Sequence, residues 1–218
     1  MMKLFGASAS PYVRKTLAFA AEKGIELELV QAGLGGGPPE FRVASPFGKI
    51  PGFQDGDFTL ADSTAIITYL DAVKPEPNLI PTEAKARART IWFEEFADTI
   101  LVATAGKMFF NRFVAPRFMG REGDLAAADA AEAKELPPLL DYLEGQIPAS
   151  GYLIEDRLTL ADLAVASPIQ NLALIGWRPD PSRWPKVTAH AAAILGRPSF
   201  AGWCAQEFET FGVARGPA

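Results

Sequence analysis

Cysteine and histidine are almost missing from this chain: Cys204 and His190 are the only ones in 218 residues. A single thiol excludes an internal disulfide and fits a reducing compartment. One histidine beside one cysteine leaves no cluster for a structural zinc, so no metal is expected. Basic runs are missing too. The 21 Lys+Arg stand against 26 Asp+Glu, a formal charge of -5, which argues against nucleic acid or an anionic membrane as a partner. No apolar run approaches the ~20 residues of a membrane span, and the opening MMKLFGASAS is too short and interrupted for a signal-peptide core. Internal repeats and low-complexity tracts are absent. A soluble, cytoplasmic protein is the expectation these absences leave.

What is present is the balance of a globular protein, 49% hydrophobic and 22% charged, with length for one large domain or two small ones. Lys3 to Gly6 reads as a short buried strand. Ser10, Pro11 and Gly24 then punctuate a helix as N-cap, first-turn proline and terminator, with Val13, Leu17, Ala20 and Ala21 at helical spacing. Glu26 to Val30 alternates at period two, a half-buried strand. A loop follows, rich in Gly and Pro (Gly35-Gly36-Gly37-Pro38-Pro39). Beyond Lys49-Ile50-Pro51, runs at Gly52 to Gln54 and Phe58 to Leu60 flank Asp55-Gly56, a hairpin signal. Asp62-Ser63 starts a helix holding Ile66, Ile67 and Leu70. The order is βαβ, then ββα.

Lys74-Pro75-Glu76-Pro77 breaks all periodicity, and beyond it the strand signals stop. Ala88, Trp92, Phe96, Ile100 and Ala103 trace one face of a long helix. A second helical stretch runs from Asp124 toward Gly145, to be kinked or split by Pro137-Pro138. DRLTLADLAVAS, a proline-marked turn near Trp177 to Trp184, and two terminal helical runs complete an all-helical half.

Few residues offer chemistry. Ser10 caps its helix as an acceptor, worth ~1 kcal/mol. A hydroxyl also has a proton to donate, and a thiolate placed there would gain both that bond and the positive end of the helix dipole. Ser8, in the preceding loop, competes for the same role. Ile50-Pro51 reads either as a trans strand start or, if cis, as a bend that turns the Ile50 N–H and C=O toward an extended peptide. Asp62-Ser63 is a helix start whose first N–H groups also suit a carboxylate. Thr159-Leu160-Ala161-Asp162 is a capping-box variant, with Leu158 and Leu163 as its hydrophobic staple, and anchors the helical half. His190 reads as a helix-surface residue and Cys204 as a buried or semi-buried thiol, neither with partners that make a nucleophile. Phe109, Phe110 and Phe113 line an apolar pocket or pack the core.

These pieces resemble the cytosolic glutathione S-transferase superfamily over essentially the whole chain, as a serine-type, bacterial-like member. The matching segments are SPYVRKTLAFAAEKGI, PEFRVASPFGKIPGFQDGDFTLADSTAIITYL, RARTIWFEEFADTIL, DRLTLADLAVAS and RPSF at Arg197 to Phe200. The resemblance implies an α/β plus all-α fold: an N-terminal thioredoxin-like domain over 1–76, a linker over 77–86 and an all-helical domain over 87–218. It implies a homodimer, glutathione as co-substrate on the first domain, and a small hydrophobic electrophile held mainly by the second. Ile50, before a cis Pro51, would pair with the cysteinyl backbone. Asp62 and Ser63 would take the γ-glutamyl end, and Lys49 the glycine carboxylate. Members with Ser-Pro at the first helix select Ser10 as the catalytic residue; those with the active serine further upstream select Ser8. The stretch between Gln31 and Glu40 departs from the family in lacking a basic or amide residue to grip glutathione, which implies either weaker binding than usual or compensation by Lys49 and a residue of the second subunit. The implied activity is addition of the glutathione thiolate to electrophiles. A binding protein without turnover, or a glutathione-dependent peroxidase or isomerase, is the alternative.

Overall fold

Among the described residues, four short strands carry the N-terminal unit, in the spatial order Leu27–Gln31, Met2–Gly6, Gly52–Asp55, Phe58–Ala61. The computed structural model describes residues 1–33 and 36–214, in two units, Met1–Ile80 and Pro81–Ala218. Gly35 of the Gly-Pro loop lies outside the described residues. In the first unit the elements are β1 (Met2–Gly6), α1 (Pro11–Glu22), β2 (Leu27–Gln31), α2 (Pro39–Ala44), β3 (Gly52–Asp55), β4 (Phe58–Ala61) and α3 (Ser63–Val73). Strands β1 and β2 are parallel, as a helical crossover requires, while β3 runs antiparallel to β1 and β4 to β3. The βαβ–ββα order and the thioredoxin-like architecture are borne out. The hairpin turn sits one residue later than expected: Asp55 pairs with Phe58, and Gly56 takes the positive φ, +60°, that a type II′ turn demands of its first central residue.

Helix α1 is buried nearly all round. Besides Val13, Leu17 and Phe19, the cationic residues Arg14, Lys15 and Lys23 are at most 1% exposed, whereas Ala21 faces solvent. Lys23 shows how a buried cation is tolerated. Its Nζ donates to the carbonyls of Lys74, Pro75 and Pro77 at 2.8–2.9 Å, which uses all three ammonium protons. Asp71 Oδ1 lies 2.7 Å away and is therefore held by charge rather than by a fourth hydrogen bond. In return, Lys74 Nζ donates to the Gly24 carbonyl at 3.1 Å. The two lysines tie the end of α1 to the segment after α3.

The second unit is all-helical, as expected. Helix α4 (Ala84–Glu95) continues through a wide π turn (Phe96–Leu101) into α5 (Val102–Phe109), then through another (Phe110–Val114) into α6 (Ala115–Phe118). Next, α7 (Leu125–Ala130), a third π turn (Ala131–Glu135) and α8 (Leu136–Gln146) form one run, followed by α9 (Leu160–Leu174), α10 (Pro185–Leu195) and α11 (Pro198–Phe211). The π turn ahead of Pro137-Pro138 lets the α7–α8 run pass the prolines without a break. All of α9 is buried, with Asp162 accepting from the N–H of Leu153 and Thr159 at 2.8 Å. Among the described residues no helix is long and apolar enough to cross a membrane.

Two expectations are corrected here. Phe93, Ala97, Leu101, Ala105 and Met108 form the buried face of α4–α5. Of the face traced from Ala88 to Ala103, only Phe96 is buried; Trp92 and Ile100 stay 47% and 39% exposed. His190 is not on the surface. It is 2% exposed, because Val187, His190, Ala191 and Ile194 share one buried stripe at 3–4 spacing. Its Nδ1 donates to the Gly151 carbonyl at 2.8 Å, and Asp162 Oδ1 lies 3.9 Å away. Cys204 is buried. Phe113 is buried and Phe109 half-buried, stacked 4.9 Å apart beside Phe211, so both belong to packing within this unit.

Replacing Lys23 with methionine leaves three part-buried carbonyls and the half-buried Asp71 without the partner they share. Because these acceptors can turn to water, the cost is about 2 kcal/mol, below the ~3–5 kcal/mol of a fully buried pair. Urea unfolding of Lys23→Met is expected to show a loss of that size, and a loss under ~1 kcal/mol would refute the clamp.

Candidate active site

Strand register builds the site. Phe5 pairs with Gly52, so the C-terminal end of β1 lies beside the N-terminal end of β3; Gly52 pairs with Ala61, which brings the end of β4 alongside. Segments 7–10, 49–51 and 62–63 therefore emerge from one end of the sheet. The residues that the sequence offered for holding a short peptide, Ser8, Ser10, Lys49, Ile50, Pro51, Asp62 and Ser63, all sit on these three segments.

The first segment depends on a close approach. A Cβ on Gly6 would lie 2.5 Å from Val13 Cγ2, so only glycine lets α1 pack this tightly against the end of β1. A turn follows, closed by the Ser10 N–H donating to Ala7 C=O at 2.9 Å. Ser10 is the N-cap of α1, with Pro11 opening the helix. Its Oγ accepts from the Val13 N–H at 3.5 Å, a long bond against the usual 2.7–3.2 Å. That leaves the Ser10 hydroxyl proton at the positive end of a 12-residue helix. Ser8 lies inside the turn and, like Ser10, is half-buried.

The second segment is anchored by side chains. The Ile50–Pro51 bond is cis, as is Glu76–Pro77. Ile50 packs against the Phe5, Phe41, Ala44 cluster, while its backbone lies just outside the sheet ladder, which begins at Gly52. Lys49 is exposed. Sequence reasoning missed α2, and with it Ser45, which caps α2 at its C-terminal end and whose hydroxyl donates to the Lys49 carbonyl at 2.6 Å. No residue-type signal would have found it, since its partner is a main-chain carbonyl.

The third segment bends sharply. Asp62 has φ +79° and ψ +130°, a conformation costing an L-residue of order 1–3 kcal/mol. Its Oδ1 accepts from the N–H groups of Thr64 and Ala65 at 2.9 and 3.2 Å, which caps α3 and holds the bend. Asp62 itself is exposed, while Ser63, opening α3, is 2% exposed. Arg14 and Lys15 set two fully buried positive charges four and five residues beyond Ser10, each engaged with neighbours. Among the described residues no group of His, Cys, Asp or Glu is placed to hold a metal ion.

This edge offers a hydroxyl donor at one helix start, an extended backbone segment, a lysine and a capped second helix start. That set suits a short peptide carrying a thiol and carboxylates. The glutathione S-transferase N-terminal domain model matches residues 4–78 and the C-terminal domain model residues 109–207. A glutathione S-transferase of Hyoscyamus muticus is 33% identical over 211 residues, covering 91% of this chain and 95% of its own. Among solved structures, glutathione S-transferase-I bound with lactoylglutathione is similar with a TM-score of 0.82 at 27% identity, covering 94% of this chain and 98% of that one. A glutathione S-transferase of Methylobacillus flagellatus with glutathione bound has a TM-score of 0.77 at 28% identity, covering 93% and 98%.

Proposed function

This chain belongs to the glutathione S-transferase family, and from that premise we propose which of its groups bind glutathione and which one activates the thiol. The protein is a glutathione transferase, and glutathione is its co-substrate. In the proposed arrangement Ile50 pairs through its backbone with the cysteinyl unit. Asp62 and Ser63 receive the γ-glutamyl end, and Lys49 the glycine carboxylate. Support comes from the register that gathers these segments at one sheet end.

Ser10 is the activating residue in this reading, which takes the chain as a serine-type, bacterial-like member. An ordinary thiol, with a pKa of about 8.5, is only roughly 3% thiolate at pH 7. Lowering that pKa by ~2 units makes about three quarters of it reactive and needs ~2.7 kcal/mol. A hydrogen bond to a charged group supplies ~1.5–3 kcal/mol, and a helix N-terminus ~0.3–1 kcal/mol more. Together they span about 1.8–4 kcal/mol, a range that contains the requirement. The thiol proton passes to solvent, and the Ser10 O–H donates to the sulfur. The sulfur lone pair then forms the S–C bond with a small apolar electrophile, whose displaced electrons leave with the leaving group or settle on its acceptor atom.

A homodimer belongs to the same reading. Phe47, at the tip of the Ser45–Gly48 turn, is 92% exposed, and Val43 is 66% exposed. Trp92 on α4 and Ile100 in the π turn after it are exposed apolar residues. A second copy that seats a knob from one subunit on these residues of the other makes a reciprocal contact, as two-fold symmetry allows. A cytoplasmic location is also part of it, supported by the lone buried thiol of Cys204.

Steady-state kinetics of Ser10→Ala and Ser8→Ala with glutathione and a chromogenic electrophile test the assignment. Ser10→Ala is expected to lose about 10²-fold in kcat/KM, with the acid limb of its pH profile ~1–2 units higher, while Ser8→Ala stays within about threefold. The reverse pattern would transfer the role to Ser8. For the dimer, Phe47→Asp is expected to convert a dimeric mass in light scattering to a monomeric one. A monomeric wild-type protein, or a variant that remains dimeric, would refute that contact.

A further inference from the structure

Ser45 is 1% exposed, yet each of its polar groups is engaged at the approach to Ile50. Its N–H donates to Phe41 C=O at 2.7 Å, and its C=O accepts from the Gly48 N–H at 2.9 Å. Its hydroxyl donates to Lys49 C=O at 2.6 Å. One residue thus joins the end of α2 and the Pro46-Phe47 turn through its backbone, and the peptide unit that precedes Ile50 through its side chain.

That peptide unit matters because of its planarity. The Lys49–Ile50 bond is not among the cis bonds of the chain, so its C=O and N–H point in opposite directions within one plane. A hydroxyl that holds the Lys49 carbonyl inward consequently aims the Ile50 N–H outward. The Ile50 side chain, seated among Phe5, Phe41 and Ala44, anchors the same residue from the other side. We infer that Ser45 is a positioning residue for glutathione: by fixing the Lys49 carbonyl it presets the Ile50 N–H that pairs with the cysteinyl unit. This rests on the role proposed for Ile50 above.

Ser45 does not touch the sulfur in this scheme, so its loss weakens binding of ground state and transition state alike and leaves the chemical step alone. In the full-length protein, Ser45→Ala is expected to raise the KM for glutathione and the calorimetric Kd about five- to tenfold. The kcat and the acid limb of the pH profile should not move. Ser45→Thr, which keeps the hydroxyl, should restore KM. A purely structural serine would lower the melting temperature and leave KM where it was. An unchanged KM in folded Ser45→Ala, or a fall in kcat at constant KM, overturns the inference. Should the alanine variant not fold, Ser45→Cys, of similar size and a weak donor, takes its place under the same criteria. The wild-type calorimetry separates two failures: no glutathione binding at all refutes the site itself, whereas normal wild-type binding with an indifferent variant refutes only Ser45.

Discussion

Phe5 pairs with Gly52, and Gly52 with Ala61. Those two pairings bring three loops from distant parts of the sequence to one sheet end, and the chemistry assigned to this protein depends on them. The Gly6–Val13 approach adds depth to the arrangement: it sets the first turn of α1 beside the last residue of β1, where a Cβ would not fit. A one-residue slip of β3 would turn every side chain of that strand to the opposite face, and would carry Ile50 away from the start of α1.

Electrostatics on α1 follows from its burial. A helix enclosed nearly all round puts Arg14, Lys15 and Lys23 inside with the apolar residues, and buried charge persists only where partners exist. For Lys23 those partners are three carbonyls and Asp71, with the ammonium at the C-terminal, negative end of the helix dipole. At the other end the dipole is positive, and there Ser10 holds its hydroxyl. Polarity is thus distributed along α1 so that an anion is favoured at its start.

Local rules carried much of this into the sequence. Ser10, Pro11 and Gly24 bounded α1 because caps and glycine act within a turn or two of the backbone. Asp62 announced α3 for the same reason, and Asp55-Gly56 marked the hairpin to within one residue. Legibility ended where the deciding partner was remote or made of main chain. Helix α2 has six residues and no side-chain cap on its Pro38, so nothing local distinguished it from the Gly-Pro loop. On α4–α5 two apolar faces share the helical period, and spacing alone did not separate the exposed one through Trp92 and Ile100 from the buried one through Phe93, Ala97 and Leu101. His190 was misjudged because polarity was weighed without the Val187–Ile194 stripe it shares. Ser45 was silent because its hydroxyl answers to a carbonyl four residues on.

The proposed mechanism has a tripeptide's sulfur resting as an anion at the start of α1, held by Ser10. A crystal structure of the wild-type protein with glutathione tests it most directly. The sulfur is expected about 3–3.5 Å from Ser10 Oγ, with the cysteinyl backbone alongside Ile50. A sulfur in contact with Ser8 instead, or with neither serine, would contradict it.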